Sequence, residues 1–497
     1  MRPAIFVAIA VGLSSSFVFG QAAKDPAPPK VNTLAEMAAP DAKEHPQVTF
    51  FAAPKPLPKG AVTHEWTWFM GPTHDSHSTE TKLLKKFPKG GPKKVWELSR
   101  GNGYSSPSIR GEYLVYPHRL RNEVVIECLH PQTGKLYWQF KYSTDYSDRL
   151  GYSNGPRASP VIDGDRVYTL GAKGELHCLE LTTGRVIWER NVNKEFGVRQ
   201  DFFGTVASPL LHGQNLIINL GAVGGPNVIA INKIDGKLVW ASGKRWGPSY
   251  ASPVPAVVHG KERVFIFAGG ESDPPTGGLI SLDPKNGKID FEFPWRSKKY
   301  ESVNASCPTV IGNSVFISAT YKTGSALLNL KPDFTFETAW TMVDREHNTD
   351  EDQLGLHWNT PIYKDGYLYA FDGRNEPDAS IVCVDAKAGK VVWRETPEWE
   401  EEIAFNGETQ KITVSTLRGS LLAVDGNYLA ICELGHLLWL DLTPKGYKEI
   451  DRTWLFGSRE TWAPPVLSQG LLYVTQNTRD ILTGAGPRLI CYDLRGE

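Results

Sequence analysis

Seven positions recur at one point of a repeated pattern: Tyr104, Arg157, Val206, Tyr250, Ala305, Trp358 and Trp462. Each lies three residues before a proline that opens an apolar segment, at Pro107, Pro160, Pro209, Pro253, Pro308, Pro361 and Pro465. Aromatic walls with a few polar groups suit a flat ring, a sugar or a peptide. Arg157 can stack on a ring or hold an anion bidentately. Tyr152, Asn154, Asn304, His357 and Asn359 stand close by in sequence and add polar contacts. The same side chains also suit the bare filling of a wide channel, and both readings stay open at this stage.

Other chemistries have little support. The chain has no Gly-x-Ser-x-Gly, His-Glu-x-x-His or phosphate-binding loop. Its six cysteines include no Cys-x-x-Cys, the spacing of structural zinc sites and attached c-type haem. His74 and His77 ("THDSH") offer two ligands in a polar loop, too few for a metal centre. The acidic runs "TPEWEEEI" and "DREHNTDEDQ" lack the regular spacing of a calcium loop and read as solvated. Lys and Arg total 54 against 55 Asp and Glu, a balance that argues against a nucleic-acid partner.

The elements that must position the seven residues are legible as repeats. An eleven-residue pattern runs from a small residue, through a glycine four before its end, to an aromatic. It reads Cys128–Trp138, Cys178–Trp188, Ala230–Trp240, Ser281–Phe291 and Cys383–Trp393; Trp340 keeps the register without the glycine. Successive aromatics fall 49 to 53 residues apart, with a degenerate seventh unit ending at Trp454. Alternating runs such as "DRVYTL" read as half-buried strands, and each unit holds about four of them. That is the size of a propeller blade. The last unit, "LICYDLRGE", stops before its aromatic strand, and "PKKVWEL" with Trp96 is the spare. The fold expected is all-β: an eight-bladed propeller with four-stranded blades, its ring closed by an N-terminal strand. Cys128, Cys178, Cys383 and Cys491 share one slot in different blades. Packed sheets lie ~10 Å apart while a disulfide needs Cα atoms within ~7 Å, so no disulfide is expected. Each Trp is expected to lie over the small position of a neighbouring unit.

The eleven-residue motif resembles the tryptophan-docking motif of the quinoprotein-like β-propellers, the pyrroloquinoline quinone (PQQ) repeats, over about residues 61–497. "WTWFMGPTHDSHSTETKLLKKFPKGGPKKVW" and "GYSNGPRASPVIDGDRVYTLGAKGELHCLE" are similar to the secreted bacterial PQQ-binding-like subfamily. The alcohol dehydrogenases sharing this propeller add adjacent disulfide-linked cysteines, a calcium ion and an Asp base. This chain has no adjacent cysteine pair, and no motif places the calcium ligands or the base.

Arg2 followed by the apolar run Ala4–Phe19 reads as a cleaved signal peptide over residues 1–20, too short for a membrane span. No lipid-anchor cysteine follows it, and residues 21–60 read as a Pro/Ala-rich tail or linker without its own core. The expectation is an exported, periplasmic or extracellular monomer with no transmembrane segment in its mature form. It is read as a non-catalytic binding or scaffold module for a protein, peptide or envelope ligand. It resembles in architecture the propeller lipoprotein of the outer-membrane barrel-assembly machinery. The alternatives are a dehydrogenase of the alcohol or polyvinyl-alcohol type, using PQQ with calcium, and a carbohydrate-binding propeller.

Overall fold

The computed structural model describes residues 26–33, 40–343, 353–374, 379–405 and 408–496. The leader read over residues 1–20 and most of "DREHNTDEDQ" lie outside them. Eight antiparallel four-stranded sheets follow one another along the chain, over 108–143 (blade 1), 161–191, 210–242, 254–294, 309–342, 362–395, 419–454 and 466–493 (blade 8). In blades 1 to 7 the strands run consecutively from the axis to the rim. Middle strands read as nearly unbroken apolar runs because both their faces pack on neighbouring blades; Tyr428–Cys432 and Leu472–Val474 are buried throughout. Outer strands alternate, as in Leu136–Ser143, with one face turned to water.

The ring closes as the repeat count requires. Lys93–Ser99 is the outer strand of blade 8, pairing antiparallel with Arg488–Asp493 so that Trp96 faces Cys491. Val48–Phe50 then adds a fifth strand outside it. The stretch read as a tail therefore runs along the rim.

Blade-to-blade locking differs from the expectation. The small residue faces the aromatic of its own blade across the strand pair, as Cys178 faces Trp188 and Cys128 faces Trp138. The indole instead lies on the motif glycine of the next blade. A methyl group at Gly184 would sit 2.4 Å from the Trp138 ring, and one at Gly236 2.8 Å from Trp188. Gly287 and Gly389 meet Trp240 and Trp340 in the same way. Each glycine also has φ near +70°, so it serves both as turn former and as seat for the ring. The indole N–H then donates to a backbone carbonyl of that next blade: Trp96 to Pro131, Trp138 to Leu181, Trp188 to Lys233, Trp240 to Pro284, Trp340 to Ala386 and Trp393 to Thr443, at 2.7–3.1 Å. Phe291, which has no N–H, packs on Phe336 of blade 5 at 4.6 Å. Trp454 does not take this role. It bonds Leu434 of its own blade, and Trp439 donates to Leu84 instead. All six cysteines are buried free thiols. Burial pushes Cys383 up to about 11 and Cys178 up to about 12, which keeps both protonated and unreactive at neutral pH.

The segment 64–80 crosses the ring at the ends of the inner strands. Trp66 bridges Ile109 of blade 1, and Thr67 accepts from Ile162 of blade 2. Met70 packs with Val254 and Phe265 of blade 4 and with Val315 of blade 5. His77-Ser78 runs parallel to Ala423-Val424 of blade 7, and Glu80 accepts from Gln469 and Gly470 of blade 8. Contacts with six blades place this segment across the axis, where it closes the channel from the hairpin side. His74 and His77 belong to this plug. His74 stacks on Trp68 at 4.9 Å and burial lowers its pKa to about 4, while His77 pairs with Asp75 at 3.2 Å.

Candidate functional site

The opposite end of the channel is built by the loops that lead into the inner strands, and there the seven register positions fall. Tyr104 and Trp462 stack with ring centres 5.5 Å apart and planes 26° apart, although 358 residues separate them. Trp358 meets Trp462 at 5.2 Å, and Tyr152 meets it at 5.5 Å. The band continues from Tyr152 to Phe203 (5.9 Å) and from Phe203 to Tyr250 (5.1 Å). On the other side it runs from Trp358 through His357 to Tyr321 (5.0 and 5.6 Å). Aromatic side chains from most blades thus form one continuous layer, half-buried and held by mutual contact. Val206 lies buried beneath it and Ala305 adds little surface.

Arg157 lies over Tyr104 and Phe203, 5.3 and 5.1 Å from the ring centres. Its guanidinium is already engaged, donating to Asp148 at 2.5 Å, to the Tyr146 hydroxyl and to the Phe203 carbonyl. The Asp148 side chain is fully buried. Arg157 therefore works as a flat, neutralised member of the layer. An Arg157→Ala change, neutral for stability if the side chain only met a ligand, is instead expected to cost about 3–5 kcal/mol in thermal or urea unfolding, because it strands a buried carboxylate.

Arg418 is the member that sequence reasoning missed. Inner strands end in hairpins that pair Arg110 with Tyr113, Asp163 with Arg166, Val424 with Asn427 and Ser468 with Leu471. Counting back from these, Arg418 holds in blade 7 the place of Tyr104, Arg157 and Trp462. Leu421 stands where the other blades have proline, and that hid it; Ser420 was the surviving signal. Arg418 covers Trp358 and Trp462 at 4.7 and 5.1 Å. Glu433, with no side-chain exposure, binds its guanidinium from below and also accepts from the Trp462 indole at 2.8 Å. Glu460 accepts from the Tyr104 hydroxyl at 2.5 Å. Burial raises the pKa of both Tyr104 and Glu460.

Three of the neighbouring polar residues support the layer from behind. Asn304 is wholly buried and donates to Ala268 and Trp295 carbonyls. Asn359 donates to Phe371. Asn154 is exposed and accepts from the Asp148 amide, shaping the loop that presents Tyr152. His357 bonds the Tyr321 hydroxyl at 3.1 Å; burial, with Arg418 and Arg374 nearby, lowers its pKa to about 3, so it is neutral.

Asp201 ties the loops of blades 3 and 4 beneath Phe203. It accepts the Glu271 and Phe202 amides at 2.8 Å, and burial pushes its pKa up to about 6. A raised carboxyl pKa makes a stability contribution that is full below ~4 and lost as pH climbs through about 6. Asp201→Asn is therefore expected to flatten that part of the stability-against-pH curve measured by urea unfolding.

A calcium-bound quinone would need six to eight oxygens around the ion. Among the described residues no group of three His, Cys, Asp or Glu is placed to hold a metal. The carboxylates of the layer are each occupied, Asp148 by Arg157, Glu433 by Arg418 and Glu460 by Tyr104. The described donor set therefore does not fit that ion. The chemistry it does offer is stacking and burial on preformed rings.

A PQQ-repeat family model described as outer membrane protein assembly factor BamB matches residues 121–332. A polyvinylalcohol dehydrogenase from a Pseudomonas species is 22% identical over 276 residues, 46% of this chain and 42% of that protein. The chain thus spans less than half the length of that relative. BamB from Moraxella catarrhalis shares the fold with a TM-score of 0.53 at 12% identity, covering 81% of this chain and 99% of that one. Quinohemoprotein alcohol dehydrogenase from Comamonas testosteroni does so with a TM-score of 0.59 at 12% identity, covering 87% and 81%. At such identity these structures speak to the fold alone.

Proposed function

Given that the chain is an eight-bladed propeller of the PQQ-repeat family, we propose that it is an exported binding module that seats a protein or peptide partner on its aromatic–arginine layer. One observation carries this reading. Tyr, Trp and Arg side chains are pre-packed into a continuous surface at the open end of a channel already closed by residues 64–80. These residue types supply most binding hot spots, and groups fixed beforehand lose little entropy on association. Plugging alone does not require the layer to reach solvent, yet Tyr152, which meets both Phe203 and Trp462, is 48% exposed. No helix among the described residues is long and apolar enough to cross a membrane.

The test begins with capture from an envelope fraction on the immobilised full chain, then reconstitution with the purified protein caught. Tyr152→Ala is expected to weaken binding by about tenfold or more with an unchanged melting temperature. Unaltered affinity would move the partner off this face. PQQ with calcium, and separately a panel of sugars, are expected to leave the melting temperature unchanged. A cofactor-dependent rise together with alcohol-dependent dye reduction would replace this reading with the dehydrogenase one.

A further inference from the structure

Residues 50–62 and 82–95 contain eight lysines and no Asp or Glu. The rest of the chain carries 46 basic residues against 55 acidic ones, so positive charge is gathered in these two short stretches. The fold brings them together. The strap that follows Val48–Phe50 descends the rim of blade 8 beside Lys93–Ser99, where the Phe51 amide donates to the Val95 carbonyl at 2.9 Å. At the hairpin side the Lys55 amide donates to Asp493 at 2.7 Å, and Arg495 donates to the Lys55 carbonyl at 2.5 Å. Lys82 then bonds the Lys59 carbonyl, and the Val62 amide donates to the Thr81 hydroxyl. The corner formed by blade 8 and its neighbour blade 7 is thus one connected surface.

Its lysines face water. Lys55, Lys59, Lys82, Lys86, Lys89 and Lys93 are exposed, and none pairs with a carboxylate among the described residues; Lys82, Lys86 and Lys93 touch backbone carbonyls. The nearby carboxylates are occupied. Asp425 faces Lys85, Glu97 faces Lys94 and Arg488, and Asp451 accepts the Phe87 amide. Between the lysines stand bare apolar side chains: Phe50 and Phe51 are each 49% exposed, Val62 46% and Leu57 42%. Lys94 lies over the Phe51 ring at 4.8 Å.

We infer that this corner is a membrane-surface anchor that takes an anionic lipid bilayer. Apolar rings sink toward the acyl chains while ammonium groups on long stems stay at the phosphates, which is the arrangement present here. Lysines near an anionic leaflet each add attraction. An added β-strand fits less well, because Pro54, Pro56 and Pro58 offer no N–H to a ladder. A purely acidic protein surface would use the lysines and leave the four apolar groups in water. The aromatic–arginine layer lies at the other end of the channel, so a chain held by this corner keeps that layer clear of the lipid.

The probe is a vesicle of phosphatidylcholine with about one-quarter phosphatidylglycerol, mixed with the full chain and read by co-sedimentation against vesicles of phosphatidylcholine alone. Binding is expected to the anionic vesicles only, and to weaken as salt is raised. Lys55→Glu with Lys59→Glu, and separately Phe51→Ser with Leu57→Ser, are each expected to weaken it by about tenfold or more at an unchanged melting temperature. Tyr152→Ala is expected to leave it intact. All six native cysteines are buried, so an environment-sensitive dye attached to Leu57→Cys reports on this corner. Its fluorescence is expected to rise on the anionic vesicles, and that of the same dye on Val257→Cys, at the 66% exposed site in blade 4, is expected to stay constant. No binding to anionic vesicles, binding that survives the paired lysine changes, or an equal rise at both dyes would overturn the inference. Lysine-dependent binding that ignores Phe51→Ser with Leu57→Ser would also overturn it, in favour of an acidic protein surface.

Discussion

Deleting Lys93–Ser99 is expected to unfold the whole ring. The strand contributes Val95, Trp96 and Leu98, all fully buried, to a cluster shared by blades 7, 8 and 1. Removing a buried Trp alone costs about 3–5 kcal/mol and a buried Leu about 2–5 kcal/mol. Their sum, about 5–10 kcal/mol, is already comparable with the ~5–15 kcal/mol by which most domains are stable, before Val95 and the exposed edge of Arg488–Asp493 are counted. Circular dichroism and size-exclusion chromatography are expected to show an expanded chain without a cooperative transition. A truncated protein that melts at the temperature of the intact one would refute the closure.

Trp188→Ala is expected to cost about 3–5 kcal/mol, read from the urea midpoint. The side chain is fully buried, lies on Gly236, and its N–H bonds the Lys233 carbonyl at 3.1 Å. The same contact can be broken from the other side. Gly236→Val puts a side chain 2.8 Å from that ring at a φ of +69°, so its loss should rival that of the tryptophan. The double variant should cost clearly less than the sum, because both act on one contact. Cys178→Ala is expected to cost only ~1 kcal/mol, as one buried sulfur with no bridge. Additive losses for Trp188 and Gly236 would mean that ring and glycine do not support each other.

Much of the candidate site was legible, for a reason particular to repeats. Tyr104, Arg157, Tyr250, Trp358 and Trp462 share a register position, so symmetry brings them to one end of the channel without any knowledge of contacts. Arg418 escaped because its marker proline is Leu421. Phe203 and Tyr321 escaped because they come from loops outside the repeat, where no periodicity constrains position. The engagement of Arg157 by Asp148 was also hidden, since a loop of eight residues between them can place a carboxylate almost anywhere.

The sequence by itself determined the blade count, the closing strand, the free cysteines and the face on which the aromatic layer lies. These follow from spacing: a period near 50 residues, a glycine four before each aromatic and a small residue ten before it leave few other ways to bury the apolar strands. Only the tertiary structure decided that the indoles sit on glycines of the next blade, that residues 64–80 close one end of the channel, and that both layer arginines are neutralised from beneath. Each of these depends on contacts between segments with no fixed spacing. There the partner is set by packing and by the cost of leaving a buried charge unpaired, neither of which a linear pattern records.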